Sequence, residues 1–233
     1  MSDNVLTDSL ENVAEPSGMK AVVSDWSSDK QSFHVPWGKA MMWIFLLSDT
    51  FIFSCFLISY MKVRISTTVP WPNTSEVFAL TIGGHHIPLV LIAIMTFVLI
   101  TSSGTMALAV NYGYRRDKNK TMLLMFATAA LGATFVGMQA FEWTKLIVEE
   151  GVRPWGNPMG AAQFGSAFFM ITGFHGLHVS AGVIYLLVVA LRVKSGYYER
   201  HKGGNYEIVE IAGLYWHFVD LVWVFIFAFF YLW

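Results

Sequence analysis

Charged residues are scarce in this sequence: Asp, Glu, Lys and Arg make up 13% of its 233 residues, whereas soluble domains carry about 25%. Hydrophobic residues make up 55%, which leaves too little polar surface to cover a globule in water. The formal net charge of -1 lacks the basic excess of a nucleic-acid-binding protein. The single cysteine, Cys55, excludes a disulfide framework and a thiolate metal cluster. The composition therefore indicates an integral membrane protein that binds no nucleic acid.

The first 36 residues differ from the rest because they are polar and acidic. Their six carboxylates are Asp3, Asp8, Glu11, Glu15, Asp25 and Asp29. The segment lacks the basic start and the apolar core of a secretory signal. We therefore expect residues 1–36 to form a flexible polar cytoplasmic tail that stays attached, with the first apolar run serving as the insertion signal.

Five apolar runs follow the tail, and each can supply the roughly 20 helical residues that cross a bilayer. They cover approximately 40–61, 87–110, 121–147, 163–191 and 208–233, and Pro88 opens the second. No run alternates with the period of two that a transmembrane β-barrel requires. The predicted fold is all-α: one integral membrane domain over 37–233, built as a bundle of five transmembrane helices.

The basic residues predict the orientation of the bundle, because cytoplasmic loops carry an excess of Lys and Arg. Eleven lie on the side of the tail and of the second and fourth loops: Lys20, Lys30, Lys39, Arg115, Arg116, Lys118, Lys120, Arg192, Lys194, Arg200 and Lys202. The other four are Lys62, Arg64, Lys145 and Arg153. We expect the amino terminus in the cytoplasm and the carboxyl terminus outside.

The last run is crowded with aromatic residues, namely Tyr215, Trp216, Phe218, Trp223, Phe225, Phe227, Phe229, Phe230, Tyr231 and Trp233. Aromatic side chains near the end of a transmembrane helix are typical of a membrane-interface belt. We expect the remainder to face lipid or another subunit.

Ionisable and amide side chains inside the runs are the candidate site residues, because such groups usually face a bundle interior and have a function. They are Asp49 in the first run, Gln139 and Glu142 in the third, His175 and His178 in the fourth, and His217 and Asp220 in the fifth. His85 and His86 stand at the mouth of the second helix and are expected at the membrane interface.

Two interpretations of these residues compete. The four from the last two runs could supply nitrogen and oxygen ligands to a metal or haem. However, the Glu-x-x-His pattern of di-metal bundles is absent, and a histidine-box oxygenase needs more than the seven histidines present, which include His34 and His201. Hydrogen bonding between helices fits the same pairs, and we favour it.

Four segments carry a resemblance to a known family. They are W-I-F-L-L-S-D-T-F-I-F-S at 43–54, Q-A-F-E-W at 139–143, F-F-M-I-T-G-F-H-G-L-H-V at 168–179 and Y-W-H-F-V-D-L-V-W at 215–223. Together they resemble subunit III of haem–copper terminal oxidases, in the five-helix form, and the resemblance covers about 40–233.

The resemblance implies an accessory subunit without a catalytic centre, cofactor or metal of its own, in a proton-pumping cytochrome c oxidase of the aerobic respiratory chain. Haem and copper would lie in partner subunits, with the catalytic subunit I and subunit II as neighbours. Members of the family bind structural phospholipid and support proton uptake and complex stability. The implied location is the bacterial cytoplasmic (inner) membrane, and the histidines carry over as structural positions.

Two departures from the family pattern matter. Asp49 stands where the family usually has Glu, so its carboxylate is one methylene shorter. The chain also starts at the equivalent of the third helix of the seven-helix form. The missing pair forms one wall of that form's lipid cleft, and in five-helix relatives extra helices of the catalytic subunit can take its place.

Alternatives to a cytochrome c oxidase subunit stay open. Five-helix members also occur in quinol oxidases and beside nitric oxide reductases, and the electron donor binds other subunits. A free-standing proton-coupled transporter using Asp49 and Glu142 is the alternative of another class, although paired Gly/Pro helix interruptions of the transporter kind are absent.

Overall fold

The computed structural model of the chain describes residues 36–82, 85–158, 160–201 and 205–233. Except for Pro36, the predicted tail lies outside these residues, as do His34 and Lys202. By its packing the chain divides after Met41: the first unit contributes 36–41, which hold the first turn of the first helix, and the second unit contains the bundle.

Five helices of the described structure are long and apolar enough to cross a membrane, which confirms the predicted fold class. They are α1 (Trp37–Ser66), α3 (Val90–Tyr114), α4 (Lys118–Val148), α5 (Gln163–Lys194) and α7 (Glu207–Phe227), the last continuing as a π-helical turn over Ala228–Leu232. Short helices α2 (Thr74–Val77) and α6 (Tyr197–His201) lie in the loops. The orientation across the membrane remains a prediction.

The segment before α3 differs from the expectation. Strands β1 (Ala79–Ile82) and β2 (His85–Pro88) pair antiparallel, with Ala79 opposite Pro88. Pro88 therefore ends a strand instead of opening a helix, and His85 and His86 belong to β2 instead of to a helix mouth. The helix begins at Val90, after Leu89 takes a left-handed backbone conformation with φ of 59°.

Charged residues organise the loop ends of the bundle. Asp117 caps α4 by accepting a hydrogen bond from the backbone N–H of Lys120 at 3.2 Å, which satisfies a donor that the first turn of a helix leaves unpaired. Lys118 lies 3.7 Å from Glu199 of α6. Tyr206, just before α7, donates to Glu199 at 3.2 Å, and burial raises the pKa of its phenol.

Helices α3, α4, α5 and α7 form a closed four-helix ring, in which α4 and α7 each pack against both α3 and α5. Trp216 of α7 is fully buried inside it. A Cβ atom added to Gly132 of α4 would lie 2.4 Å from the Trp216 ring, so only glycine leaves room for this indole. Trp216 Nε1 donates to Ser102 Oγ of α3 at 2.9 Å, and Trp223 Nε1 donates to Thr96 Oγ1 at 3.0 Å.

Three aromatic residues of the last span correct the sequence interpretation, whereas Phe225, with 49% exposure, agrees with it. Trp216, Trp223 and Tyr231 are buried to within 2% exposure, and they fill the ring instead of forming an interface belt or facing lipid. The indole N–H groups of Trp216 and Trp223 find hydroxyl acceptors on α3, which is how a buried indole avoids an unpaired donor. Trp233, with 46% exposure, lies at the end of the helix as a belt residue would.

Helix α1 packs on the outside of α5 and α7. Phe53 contacts Phe174 of α5 with ring centroids 5.3 Å apart, and Phe45 stacks on Tyr215 of α7 at 6.2 Å. Nearer its end, Tyr60 contacts Phe230 at 4.0 Å. Its position is therefore set by side chains reaching across to the ring.

Candidate functional site

The carboxylate of Asp49 meets a histidine of α5. Asp49 is 5% exposed, and its Oδ2 lies 3.1 Å from Nε2 of His178. The distance is that of an ion pair, although the contact does not meet hydrogen-bond geometry. The structure thus brings together two sequence-predicted site residues from different helices and encloses them in low dielectric.

The ring of His178 is held from its other side. Nδ1 lies 2.8 Å from the carbonyl oxygen of Phe174, and because a carbonyl only accepts, Nδ1 carries a proton. Nε2 is the nitrogen that faces Asp49. Tyr215 of α7 donates to the carbonyl oxygen of His178 at 2.9 Å, so three helices meet at this residue.

Gln139 joins α4 to α5. Its Nε2 donates to the carbonyl oxygen of Thr172 at 2.8 Å, a carbonyl of the transmembrane helix opposite. A Cβ atom on Gly176 would lie 2.9 Å from Oε1 of Gln139. The amide therefore occupies space that only a glycine provides, and it acts as a polar contact between two closely packed helices.

Glu142 lies one turn beyond Gln139 and is 4% exposed. Both of its carboxylate oxygens lie 3.3 Å from the hydroxyl of Tyr231. Tyr231 belongs to the π-helical turn that ends α7, so this bond ties α4 to the end of the last helix. The arrangement can hold a carboxyl group without water, since the tyrosine hydroxyl supplies a hydrogen-bond donor.

His175 lies among aromatic rings. It is fully buried, and neither ring nitrogen has a hydrogen-bond partner among the described residues. The imidazole stacks on Trp223 at 5.4 Å between centroids and meets the edge of Phe135 at 6.0 Å. His175 therefore packs as an aromatic ring in the core.

His217 and Asp220 turn toward α3. Oγ of Ser103 lies 2.6 Å from Nδ1 of His217. Ser103 also lies beside Asp220 without reaching hydrogen-bond geometry, since both oxygens of Asp220 lack a partner in the described structure. We call these three residues the Ser103 cluster.

The ionisable residues do not converge on one point. His178 faces α1, His175 faces the core and His217 faces α3. Among the described residues, no group of three or more His, Cys, Asp or Glu side chains could hold a metal ion. The arrangement suits contacts between helices, and the absence of a bound metal remains a prediction.

Sequence reasoning missed the partners of these groups. Ser103 belongs to the run T-S-S-G-T at 101–105, five small residues within an apolar helix. Such a run is a usable signal, because hydroxyl groups inside a membrane accept and donate across helices. Tyr215 and Tyr231 gave no comparable signal, since they are two among many aromatic residues of the last run.

Comparison with known proteins identifies the family of this chain. The family model described as cytochrome c oxidase subunit III matches residues 27–233. The chain belongs to that family. The match includes all four segments that carry the resemblance, and it makes the chain a multi-pass membrane protein that associates with other subunits of an oxidoreductase complex.

Relatives in the subunit III family carry two kinds of name. The chain is 33% identical over 201 residues to a probable quinol oxidase subunit 3 of Staphylococcus saprophyticus, covering 86% of this chain and 90% of the relative. It is 33% identical over 192 residues to cytochrome c oxidase subunit 3 of Alkalihalophilus pseudofirmus, covering 82% and 84%. A probable quinol oxidase subunit 3 of Staphylococcus aureus is 33% identical over 191 residues, covering 82% and 86%.

Proposed function

We propose that the chain is a non-redox accessory subunit III of a proton-pumping haem–copper terminal oxidase of the aerobic respiratory chain. It packs on the catalytic subunit I, next to other oxidase subunits such as subunit II, and supports proton uptake and the stability of the complex. The observation that carries the proposal is the family match over 27–233. The proposed location is the bacterial cytoplasmic membrane.

The buried polar residues contact partners on neighbouring helices, which supports a structural role for the chain itself. Asp49, Gln139 and Glu142 each meet a partner on another helix. A buried polar group in a membrane costs free energy unless it is paired. These contacts therefore fix which helix faces meet, a role that needs no bound substrate.

The histidine side chains are not arranged as ligands of a haem or a copper ion in this chain. His178 is engaged on both nitrogens and His175 is enclosed by Trp223 and Phe135. His217 lies next to Ser103, as does Asp220, on the side of α7 that faces α3. We therefore place haem and copper in the partner subunits, and no step of the reaction runs through this chain. Bound phospholipid remains part of the proposal as a structural component.

Proton uptake would be supported indirectly. The Asp49–His178 pair joins two helices through an Oδ2–Nε2 distance of 3.1 Å. Its principal effect is to hold α1 against α5, which preserves the surface that the chain offers to subunit I. Loss of the pair would therefore reduce the stability of the complex before it affected turnover.

Cytochrome c is the electron donor that we propose, and quinol is the alternative. Relatives named for each donor match this chain at the same 33% identity. The donor binds other subunits, so turnover of the whole complex decides between them. Reduced cytochrome c should sustain oxygen consumption, and turnover with quinol alone would establish the alternative.

Purification tests the proposal. An affinity tag on this chain should recover a haem-bearing partner in mild detergent, identified by peptide sequencing and by the visible spectrum of the complex. An untagged chain expressed at the same level is the control. Recovery of the chain without any haem-bearing protein would contradict the proposal and favour a free-standing transporter.

A labelling experiment tests the orientation. With Cys55 changed to Ser, single cysteines placed in the tail and after Trp233 would be exposed to a membrane-impermeant maleimide in intact cells. Only the cysteine after Trp233 should react. Reaction of both, or of the tail alone, would overturn the orientation inferred from the basic residues.

A further inference from the structure

The carboxyl group of Asp220 is buried, and although Ser103 lies beside it, neither of its oxygens has a partner in hydrogen-bond geometry among the described residues. The residue is 7% exposed. Nδ1 of its neighbour His217 lies 2.6 Å from Oγ of Ser103. The Ser103 cluster therefore has unused acceptor capacity at the two oxygens of Asp220.

The depth of the cluster makes this arrangement costly. Ser103 lies at the middle of α3, and His217 and Asp220 lie at the middle of the span Glu207–Leu232. At the centre of a bilayer there is no water to satisfy a carboxyl group, and an unpaired polar group there is unfavourable. The cost would be removed by a donor that arrives from outside the chain.

The surface beside the Ser103 cluster can accommodate another transmembrane helix. On α3, Ile100, Gly104 and Ala107 are exposed at the spacing of one helix face. Gly104 is open, since a Cβ atom there would meet nothing within 4 Å. On α7, Leu221 and Val224 continue the face of His217. Small residues next to apolar ones let another transmembrane helix approach closely.

We propose that the Ser103 cluster is the contact site for a transmembrane helix of another oxidase subunit, which brings a hydrogen-bond donor to Asp220. This inference rests on the proposed function. The partner side chain is a hydroxyl, amide, indole or cationic group at mid-membrane depth, flanked by small or apolar residues that pack on Gly104 and Ala107.

Other occupants fit the cluster less well. Lipid headgroups lie about 15 Å away, at the edge of a hydrocarbon core about 30 Å thick, and acyl chains carry no donor. The exposed hydroxyl groups that a second copy of this chain would bring to Asp220 already donate hydrogen bonds elsewhere. Those of Ser54, Thr101 and Thr134 donate to carbonyl oxygens of their own helices.

Photo-crosslinking in the intact complex tests the site. A photoreactive residue at Ala107 or at Leu221, with Asp220 unchanged, should yield an adduct with a transmembrane peptide of another oxidase subunit that contains a polar side chain within one turn of the crosslink. The same photoreactive residue placed at Ile184, which is exposed on α5, is the control. It shows whether crosslinking is specific to the surface beside the Ser103 cluster. Adducts with lipid only, or with a second copy of this chain, would overturn the inference.

Substitution of Asp220 provides the second measurement. Asp220→Asn keeps a hydrogen-bonding group and should leave the chain in the complex, whereas Asp220→Leu should lower the retained amount about threefold or more, the ratio expected for one hydrogen bond in a membrane. Equal retention of both variants would count against the site. The visible spectrum of the same samples separates the two proposals: without haem the proposed function fails, and with haem but without the crosslink only this inference fails.

Discussion

The four-helix ring and helix α1 are held in different ways. In their most apolar windows the last span has 56% of its residues buried, α4 and α5 have 33%, α3 has 28% and α1 has the lowest share, 22%. The ring encloses Trp216 against Gly132 at a distance that excludes any side chain. Helix α1 lies outside, exposing large apolar side chains such as Leu47 and Phe51, and reaches the ring through aromatic contacts and the Asp49–His178 pair.

The difference follows from the solvent. Lipid is as apolar as leucine, so burying the apolar face of α1 gains little, and helices associate through close packing and polar contacts. The ring relies on close packing around glycine. Helix α1 has few close contacts, so the Asp49–His178 pair specifies its position. The ring should therefore respond to changes in volume, and α1 to changes in polarity.

Removing the central indole should have the largest effect. Trp216→Ala empties the middle of the ring and leaves Ser102 without its donor, a loss of about 3–5 kcal/mol for a buried Trp. Trp43→Ala on α1, where the indole is 52% exposed, is the matched control and should change little. Thermal unfolding of the purified complex measures both, and equal losses would abolish the distinction between the ring and α1.

Adding one methyl group inside the ring should have the next largest effect. Gly132→Ala places a Cβ atom against Trp216, and overpacking of this kind costs about 1–3 kcal/mol. Gly137→Ala, on the same helix but with nothing within 4 Å, should leave the thermal midpoint unchanged. A stable Gly132→Ala variant would mean that the indole can move aside.

Breaking the polar pair should weaken the attachment of α1. Asp49→Leu leaves His178 without its partner in low dielectric, a loss of about 1–3 kcal/mol. Changing both residues, as Asp49→Leu with His178→Phe, should recover most of it, because an apolar pair replaces a polar one. Ser54→Leu, on an exposed position of α1, is the control. Retention of the chain in the complex is the measurement, and additive losses in the double variant would contradict the pairing.

The five spans were predictable from the sequence because the thickness of the bilayer sets the length of every apolar run. The segment at 79–88 was not, since four-residue strands lie below what periodicity can resolve beside an apolar helix. The buried aromatic residues of the last span were misread for a related reason. Core-facing and lipid-facing positions are both apolar in a membrane, so composition alone cannot distinguish Trp216 from Leu221.

The candidate residues were identified from the sequence, but their partners were not. Asp49 and Glu142 stand out because carboxylates are rare in apolar runs. Whether Asp49 meets His178 or Glu142 meets Tyr231 depends on the rotation and register of two helices, which no local pattern encodes. The contrast between His175 among aromatic rings and His178 in a polar pair arises in the same way, three residues apart on one helix.

Oxygen consumption by the complex with Asp49→Asn tests most directly whether the buried polar residues act as structural contacts. Asparagine keeps the size and a hydrogen-bonding group but cannot titrate. The account predicts that the complex keeps this subunit, its haem spectrum and most of its turnover, because no redox centre lies in this chain. Loss of oxygen consumption with all subunits still bound would show that a titrating carboxylate at this position is essential, and it would contradict the accessory role.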